Sequence, residues 1–283
     1  MTAISVRHLW KEYGDQIVLE DICLDFAPRS FVALVGPSGC GKTTFLRILL
    51  SQEHATRGEV LIDGRPIAPE PDADRGVVFQ RYSVFPHLTV LGNVLLAAEL
   101  AEAPLSGRLF GARRRQAEEE ARALIAEVGL KGAEDKYPAA LSGGMQQRLA
   151  LAQAIMRKPK ILLLDEPFGA LDPGIRADIH VLMKALWNAC EMSVVMVTHD
   201  LREAFTLATR IIAFERRRNR PEEAARYGAT VAKDIEVWPK RIAGTRNPAT
   251  GVGGSPDTPH SPGRDDPATS SGTGRDDPAL KTA

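Results

Sequence analysis

The chain has 283 residues, 44% hydrophobic and 25% charged, with 36 Lys plus Arg balanced by 36 Asp plus Glu. A neutral chain with a pI near 7.0 lacks the clustered positive excess of a general polyanion binder, so no nucleic-acid partner is expected. Apolar runs such as Ile161 to Leu164 fall far short of the roughly 20 residues of a spanning helix, and Arg7, Lys11, Glu12 and Asp15 interrupt any leader-like stretch, so a cytosolic protein is expected.

Along the chain, short apolar β-rich runs alternate with helical patterns, which predicts an α/β fold with a mainly parallel sheet covered by helices. Strands are expected at Ile4 to Leu9, Phe31 to Val35, Val60 to Ile62, Gly76 to Phe79, Ile161 to Leu164, Ser193 to Val197 and Arg210 to Phe214. From about Asn93 to Arg157 the pattern is nearly all helical and reads as a helical subdomain inserted between halves of the sheet. Within it Ala117, Ala121, Leu124, Ile125 and Val128 share one face, and Glu118 stands four residues before Arg122. A later helix sets Ile175, Ile179, Leu182, Leu186 and Cys190 on one side, which makes Cys190 a small core residue. The three cysteines, Cys23, Cys40 and Cys190, are odd in number and widely spaced, and neither they nor the six histidines show metal spacing. From Gly244 to Ala283 large apolar side chains nearly vanish and Gly-Arg-Asp-Asp-Pro-Ala occurs twice, so positions 244–283 are expected to be a disordered tail after a domain at 1–243.

Gly36-Pro37-Ser38-Gly39-Cys40-Gly41-Lys42-Thr43 fits G-x-x-x-x-G-K-[ST], placed after a predicted strand and before the helical run from Thr44 to Leu50. Glycines let such a loop curl so that successive N–H groups face phosphate oxygens, and the helix start adds partial positive charge. Lys42 is expected to reach the β and γ phosphates and Thr43 to ligate Mg²⁺, with contacts continuing to Thr44. Farther on, Ile161-Leu162-Leu163-Leu164 ends in Asp165-Glu166, as a buried strand would deliver acids to the ligand-binding end of a sheet. Asp165 is then the carboxylate of the Mg²⁺ shell and Glu166 the candidate general base.

Between these motifs lies Leu141-Ser142-Gly143-Gly144-Met145-Gln146-Gln147-Arg148, which resembles the signature of ABC-type ATPases. The resemblance covers about Ile4 to Phe214 and implies a P-loop NTPase core, a small antiparallel β subdomain and the inserted helical subdomain. It assigns Tyr13 to stacking on adenine, Gln80 to sensing Mg²⁺ and the attacking water, Asp172 of Ala170-Leu171-Asp172 to a loop crossing between subunits, and His199 to contact with the γ-phosphate. In that family the signature of one subunit completes the ATP site of another, so Ser142, Gly143 and Gly144 would meet ATP across a dimer, most simply a homodimer, enclosing two ATP molecules.

The segment Gln80 to Val90, with Phe85 and Leu88, stands where importers of this family receive a helix from a permease subunit, which implies an importer at the cytoplasmic face of a membrane, served indirectly by a solute-binding protein. Lys136-Tyr137-Pro138, Met145 and Asp172 to Arg176 resemble the nitrate, sulfonate and taurine group, and Tyr227 to Thr230 with Trp238-Pro239 resemble a branch handling urea-like nitrogen compounds. The alternative is an ABC ATPase outside transport, in DNA repair, translation or division. Leu50-Ser51-Gln52-Glu53 departs from the family's usual turn, a change expected to leave the phosphate contacts intact.

Overall fold

In the computed structural model, residues 2–79, 84–103, 107–216, 218 and 226–237 are described. Gln80, Arg81 to Ser83, Trp238-Pro239 and the tail at 244–283 lie outside them. The apolar runs become strands because they are buried on both faces: β3 (Phe31–Val35), β7 (Ile161–Asp165) and β8 (Ser193–Val197) are buried along nearly their whole length. With β6 (Arg75–Val78) and β9 (Arg210–Arg216) they form a parallel array in the order β9-β3-β8-β7-β6.

The other half of the sheet is antiparallel. β1 (Ile4–Tyr13) pairs with β2 (Gln16–Phe26) and with β4 (Arg57–Ile62), which pairs with the short β5 (Arg65–Pro66). β10 (Ala229–Glu236) joins the halves, antiparallel to β9 and bridged to β2 at Ala229 and Leu19. The antiparallel region is therefore one wing of a continuous ten-stranded sheet. β2, β5 and β10 were not anticipated from sequence, because charged residues such as Glu20, Asp21 and Asp25 interrupt the apolar runs of β2 and most of β10 is exposed.

Two cores flank the sheet. One packs α1 (Lys42–Leu49) beneath the curled wing, where Phe45 meets Phe214 edge-on at 5.3 Å and Phe26 at 6.4 Å. The other is covered by α2 (Val90–Glu102), α3 (Gly111–Glu127), α4 (Gly143–Met156), α5 (Pro173–Ala189) and α6 (Leu201–Leu207). On α3 the predicted stripe is present, with Ala117, Ala121, Ile125 and the following Val128 buried and Leu124 half-buried, and Glu118 pairs with Arg122 at 2.8 Å. Cys190 terminates α5 half-buried, at the margin of the core rather than within it.

Two contacts fix elements near the site. The guanidinium of Arg75, fully buried, donates to Leu49 O at 3.2 Å, Ser51 Oγ at 2.6 Å, Glu70 O at 2.7 Å and the Asp72 carboxylate at 3.0 Å, tying the exit of α1 to β6. At Gly144 a β-carbon would stand 2.5 Å from Ile175 Cγ2, so glycine is what lets the start of α4 rest on α5. Gly144→Ala is expected to cost about 1–3 kcal/mol of stability, as overpacking does. An unchanged denaturation midpoint would show that α5 yields freely there.

Candidate functional site

Because β3, β8 and β7 are neighbours and parallel, the segments leaving their C-terminal ends converge. The loop 36–43 leaves β3, His199 follows β8, and Asp165-Glu166 ends β7. At Gly36 (φ 147°) a β-carbon would lie 2.2 Å from the Phe214 carbonyl oxygen of β9, so only glycine permits this path. Gly41 (φ 90°) takes the N-cap position of α1 with no side-chain cap, leaving the first amides of the helix for a ligand. Lys42 is buried and its ammonium donates to Gly36 O at 2.8 Å and Pro37 O at 2.9 Å, spanning the curl of its own loop. Cys40 is buried as well, with its sulfur 3.8 Å from Lys42 Nζ.

Ser38, Gly39, Gly41, Lys42, Thr43 and Thr44 line an open pocket of about 410 Å³, bordered also by Tyr13, Gln16, Val18, Glu166 and Arg216. Thr43 Oγ1 donates to Asp165 Oδ1 at 3.2 Å. Burial raises the Asp165 pKa above the ordinary carboxylate value; the Thr43 hydrogen bond works against this, and the neighbouring charge of Glu166 adds to it. The pair thus offers two hard oxygens at a half-buried point, a donor set that suits Mg²⁺. Glu166 holds a left-handed backbone (φ 45°), rare and costly for a non-glycine residue, with its N–H bound to Val197 O at 2.9 Å. Its carboxylate stands 3.3 Å from Nδ1 of the exposed His199.

Tyr13 is half exposed at the end of β1 and lines the same pocket. Its hydroxyl bonds the Glu53 carboxylate, and the Lys11 ammonium sits 4.6 Å over its ring. Burial raises the Tyr13 pKa, and Glu53 raises it further. Glu53 itself is held below the ordinary range, since the hydrogen bonds from Tyr13 and Lys11 outweigh its burial. The atypical turn at Leu50 to Glu53 therefore reaches the aromatic end of the pocket, a connection invisible in sequence because Glu53 lies 40 residues from Tyr13. Gln16, Val18 and Arg216 were missed for a related reason, as they sit on β2 and at the end of β9, outside the motifs.

Other predicted residues lie apart from this pocket. Ser142 caps α4, accepting from Met145 N at 3.3 Å, with Ser142 and Gly143 exposed and Gly144 buried on Ile175. Asp172 is exposed at the head of α5, before Pro173. Neither group lines the 410 Å³ pocket. Gln80 lies outside the described residues, two positions beyond β6.

Phe85 is 37% exposed and borders a groove with Val77, Leu96, Leu100, Ala150 and Arg157, while Leu88 is half-buried. The loop that carries them is fastened by the fully buried Asn93. Its amide nitrogen donates to Phe85 O at 3.1 Å, Leu88 O at 3.1 Å and Thr89 O at 2.9 Å, and its oxygen accepts from Phe85 N at 2.7 Å. Among the described residues no helix is long and apolar enough to cross a membrane.

Residues 19–169 match the protein family described as ABC transporter. Over 235 residues the chain is 41% identical to an uncharacterized ABC transporter ATP-binding protein of Methanocaldococcus jannaschii, covering 82% of this chain and 84% of that one. It is 42% identical to a sulfate/thiosulfate import ATP-binding protein of Burkholderia mallei, over 74% of this chain and 59% of the relative. It is 36% identical to a spermidine/putrescine import ATP-binding protein of Clostridium novyi, over 75% of this chain and 59% of the relative. The chain thus spans well under two thirds of these two import proteins. Among solved structures it resembles a dimeric ATP-binding cassette in a post-hydrolysis state bound to ADP and Pi, with TM-score 0.65, 30% identity and coverage of 83% and 99%. An ATP-binding cassette in its ADP conformation, at TM-score 0.70 and 19% identity over 83% and 91%, shares the fold.

Since Asp165 holds its proton more tightly when folded than when unfolded, its contribution to stability falls as pH rises from the ordinary carboxylate value through the raised one. At neutral pH the ligand-free fold carries that charge at a cost. Asp165→Asn is expected to raise the ligand-free melting midpoint by about 2 °C at neutral pH, with the gain vanishing in acid. A lower midpoint at neutral pH would mean that the ionised carboxylate is stabilising where it stands.

Proposed function

The chain belongs to the ABC transporter family of ATP-binding proteins, and from that premise we propose that it hydrolyses ATP as one half of a dimer that energises uptake of a small solute. The observation that carries this reading is the meeting of the loop 36–43, Asp165 and the Glu166–His199 pair at the ends of three adjacent strands. ATP would lie in the 410 Å³ pocket, its phosphates on the amides of 39–43 and its base toward Tyr13, whose ring Glu53 and Lys11 hold in place. Thr43 and Asp165, with Gln80, would hold Mg²⁺, which when bound neutralises phosphate charge. Glu166, held in its rare backbone conformation, would accept a proton from the attacking water, and His199 beside it would orient on the γ-phosphate.

Ser142, Gly143 and Asp172 are exposed and face away from any role in their own subunit's pocket, which supports a second subunit presenting them across the dimer. Loss of the γ-phosphate then removes a ligand shared by both subunits and loosens the interface. The relatives imported into this reading, for sulfate or thiosulfate and for polyamines, carry the broad proposal of solute uptake at the cytoplasmic face of a membrane, with permease subunits docking near Phe85 and a solute-binding protein acting through them. The finer proposal, a solute of the nitrate, sulfonate or taurine kind or a urea-like compound, rests on Lys136-Tyr137-Pro138, Met145 and Tyr227 to Thr230 alone. A domain at 1–243 followed by a tail belongs to the same reading.

Glu166→Gln is expected to bind ATP, lose at least about 100-fold in turnover and accumulate as an ATP-bound dimer in size-exclusion chromatography. Wild-type turnover in that variant would refute the assignment of the base. For the transport side, Asn93→Ala should release the Phe85 loop, so that a membrane protein co-purifying with the wild type in mild detergent is lost while ATP hydrolysis in the isolated subunit changes less than about threefold. Recovery of soluble partners only, from wild type and variant alike, would favour an ABC ATPase outside transport.

A further inference from the structure

The sequence shows no metal spacing, yet on the antiparallel wing the fold gathers His8, Asp21 and Cys23 with their ligand atoms all within 4.8 Å of one another. The cause is a bulge in β1. Val6 pairs with Leu24 and Leu9 with Ile22, so that Arg7 and His8 together oppose the single residue Cys23. A second irregularity follows on β2, where Leu9 pairs with Ile22 and Lys11 with Leu19 so that Glu20 and Asp21 together oppose Trp10, and the two bulges bring the His8 ring beside Asp21 and Cys23. Nδ1 of His8 lies 2.8 Å from Asp21 Oδ1 and 3.6 Å from Cys23 Sγ, while the His8 backbone N–H donates to that sulfur at 3.3 Å.

Two further features fix the backbone around the cluster. His8 and Asp21 both take left-handed backbone conformations, at φ 46° and 47°, a region that non-glycine residues enter uncommonly and that His and Asp tolerate better than most. On the opposite flank β4 makes room for the bulge with Gly58 (φ 82°), where a β-carbon would lie 2.1 Å from the His8 carbonyl oxygen. The three side chains are exposed, so an ion can reach them from solvent.

We propose that His8, Asp21 and Cys23 form a binding site for a thiophilic divalent metal ion, Zn²⁺ foremost. An imidazole nitrogen, a carboxylate oxygen and a thiolate sulfur are the mixed donors that Zn²⁺ accepts, and three protein ligands leave a further position for water. Mg²⁺ and Ca²⁺ prefer all-oxygen shells, so this site and the Thr43–Asp165 pair differ in the ions they take. Binding replaces the thiol proton: Cys23–SH and M²⁺ give the metal thiolate and a released proton, with no change in oxidation state, so affinity rises with pH. The ion would cross-link β1 to β2 at the bulge.

The test is titration of the nucleotide-free full chain with Co²⁺, followed by near-ultraviolet thiolate charge-transfer absorption and displacement by Zn²⁺. The wild type should develop the band and show a higher melting midpoint with Zn²⁺. Cys23→Ser, an exposed and conservative change, should keep the metal-free midpoint, lose the band and bind Zn²⁺ at least about tenfold more weakly, and Asp21→Asn should weaken binding in the same direction. Persistence of the band in Cys23→Ser would assign the thiolate to Cys40 or Cys190 and overturn the proposal. So would absence of any band in the wild type at saturating Co²⁺.

Discussion

The close approach of the loop backbone at Gly36 to the Phe214 carbonyl is the constraint on which the rest of the site depends. It forces the chain leaving β3 to turn over β9 rather than extend, and the turn points the amides of 39–43 and the start of α1 into one pocket. Lys42 reinforces the curl by bonding two carbonyls of its own loop. α1 then has no freedom to shift, because Phe45 is wedged between Phe214 and Phe26 and the helix exit is tied to β6 through Arg75. A phosphate-sized concavity is thus built from backbone, with side chains serving mainly to prevent its relaxation.

Around that rigid cradle the fold keeps two unfavourable features. Asp165 carries a carboxylate whose ionisation burial opposes, and Glu166 holds a left-handed backbone beside it. Both cost stability in the empty protein and both gain purpose when a cation and phosphates arrive, the usual exchange of stability for function at an active centre. The buried guanidinium of Arg75 is the opposite case, its charge met by several hydrogen bonds.

Much of this was legible in sequence because the motifs are local. A glycine-rich loop between strand and helix, or two acids closing an apolar run, needs only a few consecutive residues to state its geometry, and the structure places Lys42, Thr43, Asp165, Glu166 and His199 together as those motifs imply. What escaped notice depends on pairs distant in the chain. β2 and β10 are strands through their partners rather than their own periodicity, Glu53 matters because it meets Tyr13, and His8 meets Cys23 only because a bulge shifts the register. Asn93 read as one more helical residue, since its four bonds to the preceding loop follow from three-dimensional closure and not from composition.

With its backbone bonded to a fully buried side chain of α2, the loop at Phe85 is tied directly to that helix. α2 packs along α4, whose first turn rests without clearance on Ile175 of α5. The groove, the capped start of α4 and the head of α5 at Asp172 are therefore joined by continuous close packing, with no gap between the Phe85 loop and the two exposed helix starts.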